Sequence, residues 1–355
     1  MKITDIDSIV LDKFRKGTVI PAMPLALTER CTFDQKAQEM LTRYYMDAGA
    51  GGMAVGVHST QFAIREHGLF EKVISCVSNA IDQWGEKTGN KIFKIAGACG
   101  KTAQAVAETE FARKAGYHAI MLSLAAMRDT GIPAMIDHCV SVAEQMPMIG
   151  FYLQPAVGGP TLPYSFWKEF MKIPNVVGIK LAPFNRYKTF DVVRALCEAG
   201  KEDEITLYTG NDDSIVFDLI TNFRIKVNGV DNTVRIKGGL LGHWSVWTRK
   251  AVLLLEEIHT LIEGGQRIPN ELLTRGMEIT DCNAAFFDAA NNFAGCIPGI
   301  HEVLRRQGLL KGIRCLDPNE QLSPGQDDEI SRVYRAYPHL NDDDFVRERL
   351  NKWIS

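Results

Sequence analysis

The sequence PNVVGIKL at residues 174–181 joins a turn signal to a short apolar run that contains a lysine near its end. The β-branched run after Pro174-Asn175 predicts a strand buried on both faces. Lysine is rarely buried without a partner, so Lys180 either extends from the strand end to solvent or is held in a pocket for chemistry. Because desolvation lowers the pKa of a buried lysine, such a residue can supply the neutral amine that attacks a ketone.

Further apolar runs are similar to this one, and segments of helical length separate them. The eight strand candidates are 18–25, 51–57, 91–98, 118–124, 148–153, 176–181, 205–210 and 238–246. Eight strands, each followed by a helix within about 250 residues, predict an α/β fold, a parallel (β/α)8 TIM barrel. The competing fold is an open doubly wound sheet, which usually has fewer strands and a glycine-rich first turn. The first turn here, PLALTERCT at 24–32, contains no glycine.

The chain beyond the eighth strand has more apolar helical faces than one outer helix needs. We therefore predict a barrel over 1–262 and an appended C-terminal helical subdomain over 263–355, packed on the barrel. Within the barrel, Thr32 followed by Gln35 predicts a capping box, and Gly49 predicts the end of that helix. Residues 223–237 alternate in polarity and predict a small hairpin around Asn228-Gly229.

Composition and charge exclude several classes of partner. The 355 residues are 46% hydrophobic and 23% charged with a net charge of -3, so no basic field attracts nucleic acid or an anionic membrane. The first residues contain no apolar signal segment, and no run approaches the length of a membrane span, so we expect a cytoplasmic protein. The eight cysteines show no metal-ligand spacing, and we expect reduced thiols and no metal.

Polar residues follow several of the predicted strands. In a (β/α)8 barrel the active site lies at the carboxyl ends of the strands, so these residues are the candidates for chemistry. They are His58, Ser59 and Thr60 after the second strand, Tyr152 and Gln154 at the fifth, Lys180 in the sixth, Gly210, Asn211, Asp212 and Asp213 after the seventh, and His243 after the eighth. Taken singly, Tyr152 is equally explained as a core aromatic, and either aspartate as a helix N-cap.

Three short motifs carry a family resemblance: FYLQP at 151–155, GIK at 178–180 and GNDD at 210–213. Through them the chain resembles, as a divergent member, the dihydrodipicolinate synthase and N-acetylneuraminate lyase family over about residues 18–315. The resemblance implies that Lys180 forms a Schiff base with a 2-oxo acid, usually pyruvate, and that the Tyr152 phenol shuttles protons. It also implies that no cofactor is needed beyond this covalent imine, and that the protein is a homo-oligomer, a dimer or a tetramer.

The chain departs from the family pattern at three places. GVHST at 56–60 stands where the family has G-[ST]-T-G-E, so His58 and Ser59 become candidates for binding the carboxylate of the oxo acid. The family's second relay tyrosine is missing, because residues 124–126 are LAA. PAVGG at 155–159 lacks the arginine of true dihydrodipicolinate synthases and is more similar to sugar-acid lyases, in which backbone groups, here near Gly158, and acidic side chains bind hydroxyls.

The function that these observations predict is a Schiff-base lyase or aldolase that cleaves or condenses a hydroxylated 2-oxo acid, with a pyruvate-type acid and an aldehyde as partners. A dehydratase or hydratase of 2-oxo sugar acids that uses the same lysine imine is one alternative. A barrel that binds a ligand without catalysis is another, because both the carboxylate loop and the second tyrosine are changed. Retention of both Lys180 and Tyr152 favours an enzyme, since a buried lysine is costly to keep.

Overall fold

The computed structural model describes residues 1–354, which fold as a (β/α)8 barrel with additional C-terminal helices. The ten strands are β1 (Val19–Pro21), β2 (Gly52–Val55), β3 (Phe93–Ala98), β4 (Ala119–Leu122), β5 (Met148–Leu153), β6 (Val176–Ala182), β7 (Thr206–Thr209), β8 (Phe223–Val227), β9 (Val230–Val234) and β10 (Gly238–Leu241). Strands β1 to β7 and β10 form the parallel barrel sheet. Seven of these eight strands lie within the runs predicted from the sequence, and β6 extends one residue beyond its run, to Ala182. The predicted fold class is therefore confirmed.

Helices separate the strands and continue to the end of the described chain. They are α1 (Ser8–Lys16), α2 (Gln35–Ala48), α3 (Phe70–Thr88), α4 (Thr102–Lys114), α5 (Ile132–Ala143), α6 (Tyr164–Phe170), α7 (Arg186–Ala199), α8 (Ile215–Ile220), α9 (Thr248–Glu263), α10 (Asn270–Phe286), α11 (Cys296–Arg306), α12 (Gln326–Ala336) and α13 (Asp343–Ile354). Within residues 1–354, none of these helices combines the length and the apolar character that a membrane crossing requires.

The described chain divides into two compact units, one of residues 1–17 with 93–239 and one of residues 18–92 with 240–354. In the first unit β3, β4, β5, β6 and β7 lie side by side in chain order, all parallel, and the start of β10 pairs with β7. In the second unit β1 lies beside β2 through a bridge between Ala22 and Ala54. The predicted boundary between 262 and 263 stays a prediction.

An aromatic cluster fixes α1 against the sheet of the first unit. Phe14 is fully buried, and its ring centroid lies 4.3 Å from that of Phe93 and 4.8 Å from that of Tyr208. The Tyr208 hydroxyl donates a hydrogen bond of 2.6 Å to the Phe14 carbonyl. A Cβ atom at Gly178 would lie 3.0 Å from Cζ of Phe14, so the glycine makes room for the ring. Phe14 thus packs on residues of β3, β6 and β7 that share one face of the sheet.

The start of α2 differs from the prediction. Asp34 is the N-cap residue, and its carboxylate accepts a hydrogen bond of 3.1 Å from the Ala37 N–H. The Thr32 hydroxyl instead bonds the Thr28 hydroxyl within the preceding loop, so the predicted capping box is wrong. Aspartate caps at least as well as threonine, and it stands closer to the first apolar turn. The predicted end is confirmed, because Gly49 closes the helix with a φ of +99°.

The small hairpin is confirmed. Strands β8 and β9 pair antiparallel, and Val227 lies opposite Val230 at the turn. Asn228 and Gly229 have φ values of +50° and +83°, which is the backbone of a type I′ turn.

The Phe14 cluster predicts a large effect on stability. We expect Phe14→Ala to lower the free energy of unfolding by about 3–5 kcal/mol, because it removes a buried ring and leaves a cavity. Ile9→Ala is the matched control, since Ile9 lies on the same helix with 68% of its surface exposed, and we expect little change. Denaturant titration measures both, and equal losses in the two variants would contradict this account.

Candidate active site

Lys180 lies on the inner face of the sheet of the first unit. In the parallel register it is aligned with Phe151 of β5 and with Tyr208 of β7, and aligned residues of neighbouring strands project to the same face. Tyr208 is the residue that packs on Phe14 of α1. Phe151, Lys180 and Tyr208 therefore form one layer, on the face opposite to the one that helix α6 covers.

The Lys180 side chain is buried, with 8% of the residue exposed, and its ammonium nitrogen lies 4.6 Å from the centroid of the Phe151 ring. Gly210, which follows β7, leaves space for the lysine stem. A Cβ atom at Gly210 would lie 2.6 Å from Cε of Lys180 and 2.9 Å from Cβ of Ala182. Gly210 therefore has a structural role beside the extended lysine, and its predicted contact with substrate stays a prediction.

Tyr152 does not meet Lys180. It is aligned with Leu181 and projects to the outer face, where its ring lies 5.4 Å from that of Trp167 in α6. Its hydroxyl donates to the Leu162 carbonyl at 2.9 Å and accepts from the Leu162 N–H at 3.3 Å. Burial raises the pKa of this phenol to about 12. Tyr152 ties the chain between β5 and α6 to the outside of the sheet, and the predicted proton shuttle to Lys180 has no support in this geometry.

Tyr152 projects to the outer face because the pairing of β5 with β6 is irregular. Met148 is aligned with Val176, but Ile149 is aligned with Gly178, so Val177 is an extra residue on β6. An uninterrupted register from Met148 and Val176 would bring Tyr152 opposite Lys180, four residues on in each strand. A shift of one residue exchanges the two faces of a strand, and here it turns Phe151 instead of Tyr152 toward the lysine.

The loop after β5 contains the predicted residues Gln154 and Gly158. The backbone carbonyl of Gln154 accepts hydrogen bonds from the N–H groups of Val157 and Gly159, which closes a tight turn. Gly158 adopts a φ of +96°, and its carbonyl accepts a bond of 2.7 Å from the Arg128 guanidinium. Arg128 follows β4, so sequence reasoning about the motif around Tyr152 could not find it. The Gly158 carbonyl is therefore committed to this contact.

Asn211 belongs to a buried polar network. Its amide oxygen accepts from the Phe184 N–H, and its amide nitrogen donates to Asp218 at 2.9 Å. Asp218 is fully buried and also accepts from Thr209 and from the Arg186 guanidinium. Burial raises the pKa of Asp218, against the opposing effect of Arg186. Both ends of the Asn211 amide are thus engaged within the protein, and the predicted contact of Asn211 with substrate stays a prediction.

The two aspartates lie in the turn before α8. Asp212 is half-buried and Asp213 is exposed, and the N-cap position of α8 is held by Ser214. Neither aspartate is therefore the N-cap of this helix. The carboxylates remain at the carboxyl end of β7, next to Gly210.

In the second unit, the loop after β2 carries His58 and Ser59. His58 is half-buried, with its ring 6.0 Å from that of Phe62, and Ser59 is buried. The Thr60 hydroxyl accepts from the Gly56 N–H at 2.9 Å and donates to the Met23 carbonyl at 2.6 Å, so it shapes this loop. Thr60 thus acts through structure, and the half-buried His58 is the more accessible polar side chain.

His243, also in the second unit, is packed among aromatic side chains. Its ring lies 6.1 Å from that of Phe286 and 6.5 Å from that of Trp247. Burial lowers the pKa of His243 to about 4, so the ring is neutral at pH 7. Among residues 1–354, histidine, cysteine, aspartate and glutamate side chains form no group of three or more that could hold a metal ion.

Comparisons with known proteins agree on a family. The dihydrodipicolinate synthetase family matches residues 15–222. The 4-hydroxy-tetrahydrodipicolinate synthases of Thermoanaerobacter sp. strain X514 and Thermoanaerobacter pseudethanolicus are each 28% identical over 134 residues, 37% of this chain. The chain spans only 43% of the length of these curated relatives.

Solved structures share the fold. The dihydrodipicolinate synthase from Acinetobacter baumannii complexed with pyruvate has a TM-score of 0.72 at 17% identity, over 90% of this chain and 98% of that one. YagE from E. coli K12, in complex with pyruvate, has a TM-score of 0.71 at 15% identity, over 91% and 98%. CdNal from Clostridium difficile, in complex with mannosamine, has a TM-score of 0.68 at 15% identity, over 90% and 99%.

The position of Tyr152 predicts a structural phenotype. We expect Tyr152→Phe to lower the free energy of unfolding by about 1–3 kcal/mol, because it leaves the buried backbone groups of Leu162 without their partner. Amide hydrogen exchange over 154–163 should become faster. Tyr187→Phe is the control, since Tyr187 is 85% exposed and we expect no change in either measurement. Unchanged exchange over 154–163 in Tyr152→Phe would contradict this assignment.

Proposed function

The chain belongs to the dihydrodipicolinate synthetase family, and from that premise we propose that it is a lyase of the aldolase type that forms an imine through Lys180. Its reaction cleaves or condenses a hydroxylated 2-oxo acid, with a pyruvate-type acid and an aldehyde as the small-molecule partners. The observation that carries the proposal is the buried amine of Lys180, on the inner face of β6 against Phe151. The absence of an arginine at 155–159 argues against dihydrodipicolinate synthesis itself.

In the proposed reaction the neutral amine of Lys180 attacks the 2-oxo carbon, and the carbinolamine loses water to form an iminium. The iminium withdraws the electron pair of the C3–C4 bond, so that the bond breaks as the hydroxyl on C4 becomes the aldehyde carbonyl. The resulting enamine takes up a proton at C3, and water releases the oxo acid and restores the amine. Condensation is the reverse sequence.

The Phe151 ring supports the charged intermediate. A cation near the face of an aromatic ring is stabilised by about 0.5–2 kcal/mol, more when water is excluded. The Lys180 nitrogen lies 4.6 Å from the ring centroid, and the iminium carries its positive charge at the same atom. Phe151 thus favours the iminium that the proposed reaction forms at this nitrogen.

The proton transfers require a group other than Tyr152, because its phenol faces α6 and bonds Leu162. For the substrate contacts we keep His58 and Ser59 for the carboxylate of the oxo acid, and Asp212 and Asp213 for its hydroxyl groups, as proposals from the sequence. The predicted substrate contacts of Gln154, Gly158, Asn211 and His243 also stay predictions from the sequence. The homo-oligomeric state and the cytoplasmic location also stay predictions.

The first test is covalent trapping. We expect incubation with pyruvate and sodium borohydride to add one reduced pyruvate to the protein, read by intact mass, and Lys180→Ala to abolish the adduct. Lys172→Ala is the matched control, because Lys172 is exposed on the surface and bonds only Glu169, and it should label fully. Labelling of Lys180→Ala would overturn the assignment. Failure of the parent protein to be labelled both by pyruvate and by a panel of longer 2-oxo acids would also overturn it.

A second test uses Gly210. We expect Gly210→Ala to reduce the labelling rate by at least about tenfold, because the new methyl group must displace the lysine stem, whereas overpacking costs only about 1–3 kcal/mol of stability. Gly131→Ala is the control, since Gly131 is also a glycine of this unit, its φ of -75° suits alanine, and the nearest atom to a Cβ there, Cδ of Pro133, lies at an ordinary contact distance of 3.7 Å. Thermal unfolding checks that both variants are folded. Normal labelling by Gly210→Ala would contradict the placement of Lys180.

A further inference from the structure

The second unit contains a pocket of about 290 Å³ that the proposed reaction does not use. Its walls come from the start of α9, from α10 and from the turn before α13, and every residue that lines it belongs to the second unit. The volume is near the lower end of the range of about 300–1,000 Å³ that is typical of small-molecule sites. The pocket therefore has room for a small ligand of one or two rings.

The floor of the pocket is apolar and rigid. Trp247, Leu254 and Ile279 line it, and each is at least nine-tenths buried. The Trp247 ring contacts Phe286 edge-on at 5.0 Å and Tyr334 at 5.1 Å, so its orientation is fixed before any ligand arrives. Because the apolar floor is already ordered, ligand binding loses little free energy to the ordering of side chains. Its surface suits a flat apolar group.

The rim carries an excess of positive charge. Arg275 is paired with Glu257 across the pocket at 2.5 Å, and His339 contacts Glu278 at 2.8 Å. Lys250 also lines the pocket, and among residues 1–354 no carboxylate forms an ion pair with it. An unpaired ammonium beside an apolar floor attracts a carboxylate, and such a charge-assisted hydrogen bond is stronger than a neutral one.

We propose that this pocket binds a small organic carboxylate with an aromatic body, whose carboxylate contacts Lys250 and whose ring lies on the floor of Trp247, Leu254 and Ile279. The buried His243 lines the inner end of the pocket. With its pKa lowered to about 4, it presents no second positive charge there at neutral pH. The site thus places its charge at the mouth and its apolar surface inside.

The test uses benzoate, which has no ketone and forms no imine. In the full-length Lys180→Ala protein we expect calorimetry to detect benzoate binding, so that the outcome does not depend on the proposed reaction. Benzyl alcohol, which has the ring without the charge, should bind at least about tenfold more weakly. Lys250→Glu should weaken benzoate binding by at least tenfold, whereas Lys72→Glu, a charge reversal on the exposed face of α3, should leave it unchanged.

Thermal unfolding checks that each variant is folded, and Lys250→Gln replaces Lys250→Glu if the charge reversal does not fold. Equal binding of benzoate to the parent and the Lys250 variant would overturn the proposal, as would the absence of benzoate binding. A second copy of the chain is the competing occupant, because Leu253 at the mouth is 42% exposed. Dissociation of an oligomer by Leu253→Glu, together with no benzoate binding by the parent, would assign the pocket to that contact.

Discussion

The pairing of β5 with β6 decides which side chains share a face with Lys180. Side chains alternate along a strand, so the register of one strand against the next sets the neighbours of every residue in it. The extra residue at Val177 shifts this register by one position, and Phe151 is aligned with Lys180 as a result. The outer position of Tyr152 follows from the same alignment, whereas the place of Gly210 beside the lysine follows from the pairing of β6 with β7.

The fold could be predicted from the sequence because each strand and helix of a (β/α)8 barrel has its own local sequence pattern. Each barrel strand is a short apolar run, and Asn228-Gly229 specifies its hairpin turn through backbone conformation alone. The cap of α2 was less predictable, because Thr32 and Asp34 are both good N-caps and only the loop geometry selects between them. Local patterns therefore located the elements, while competition between nearby residues decided their ends.

The candidate site was harder to predict, because it depends on facts that no single strand contains. The β-bulge in β6 could not be predicted from the sequence VVGIKL. The motif FYLQP therefore predicted a tyrosine near the lysine, whereas the shifted register places that tyrosine on the outer face. Asn211 posed a different difficulty. Asparagine at a strand end can bind a substrate or complete a buried network, and the choice depends on Asp218 and Arg186, which come from other segments of the chain.

The inner layer around Lys180 is therefore aromatic, and it offers the amine no phenol from β5. Phe151 presents a ring face, and the Tyr208 hydroxyl is engaged with the Phe14 carbonyl. A ring face stabilises positive charge but moves no protons, so in the proposed reaction this layer would favour the iminium more than the proton transfers that precede and follow it. The proposed reaction then needs water or a polar group at the strand ends to carry those protons. Its chemical character would depend less on the lysine than on which group fills the place that an uninterrupted register would have given to Tyr152.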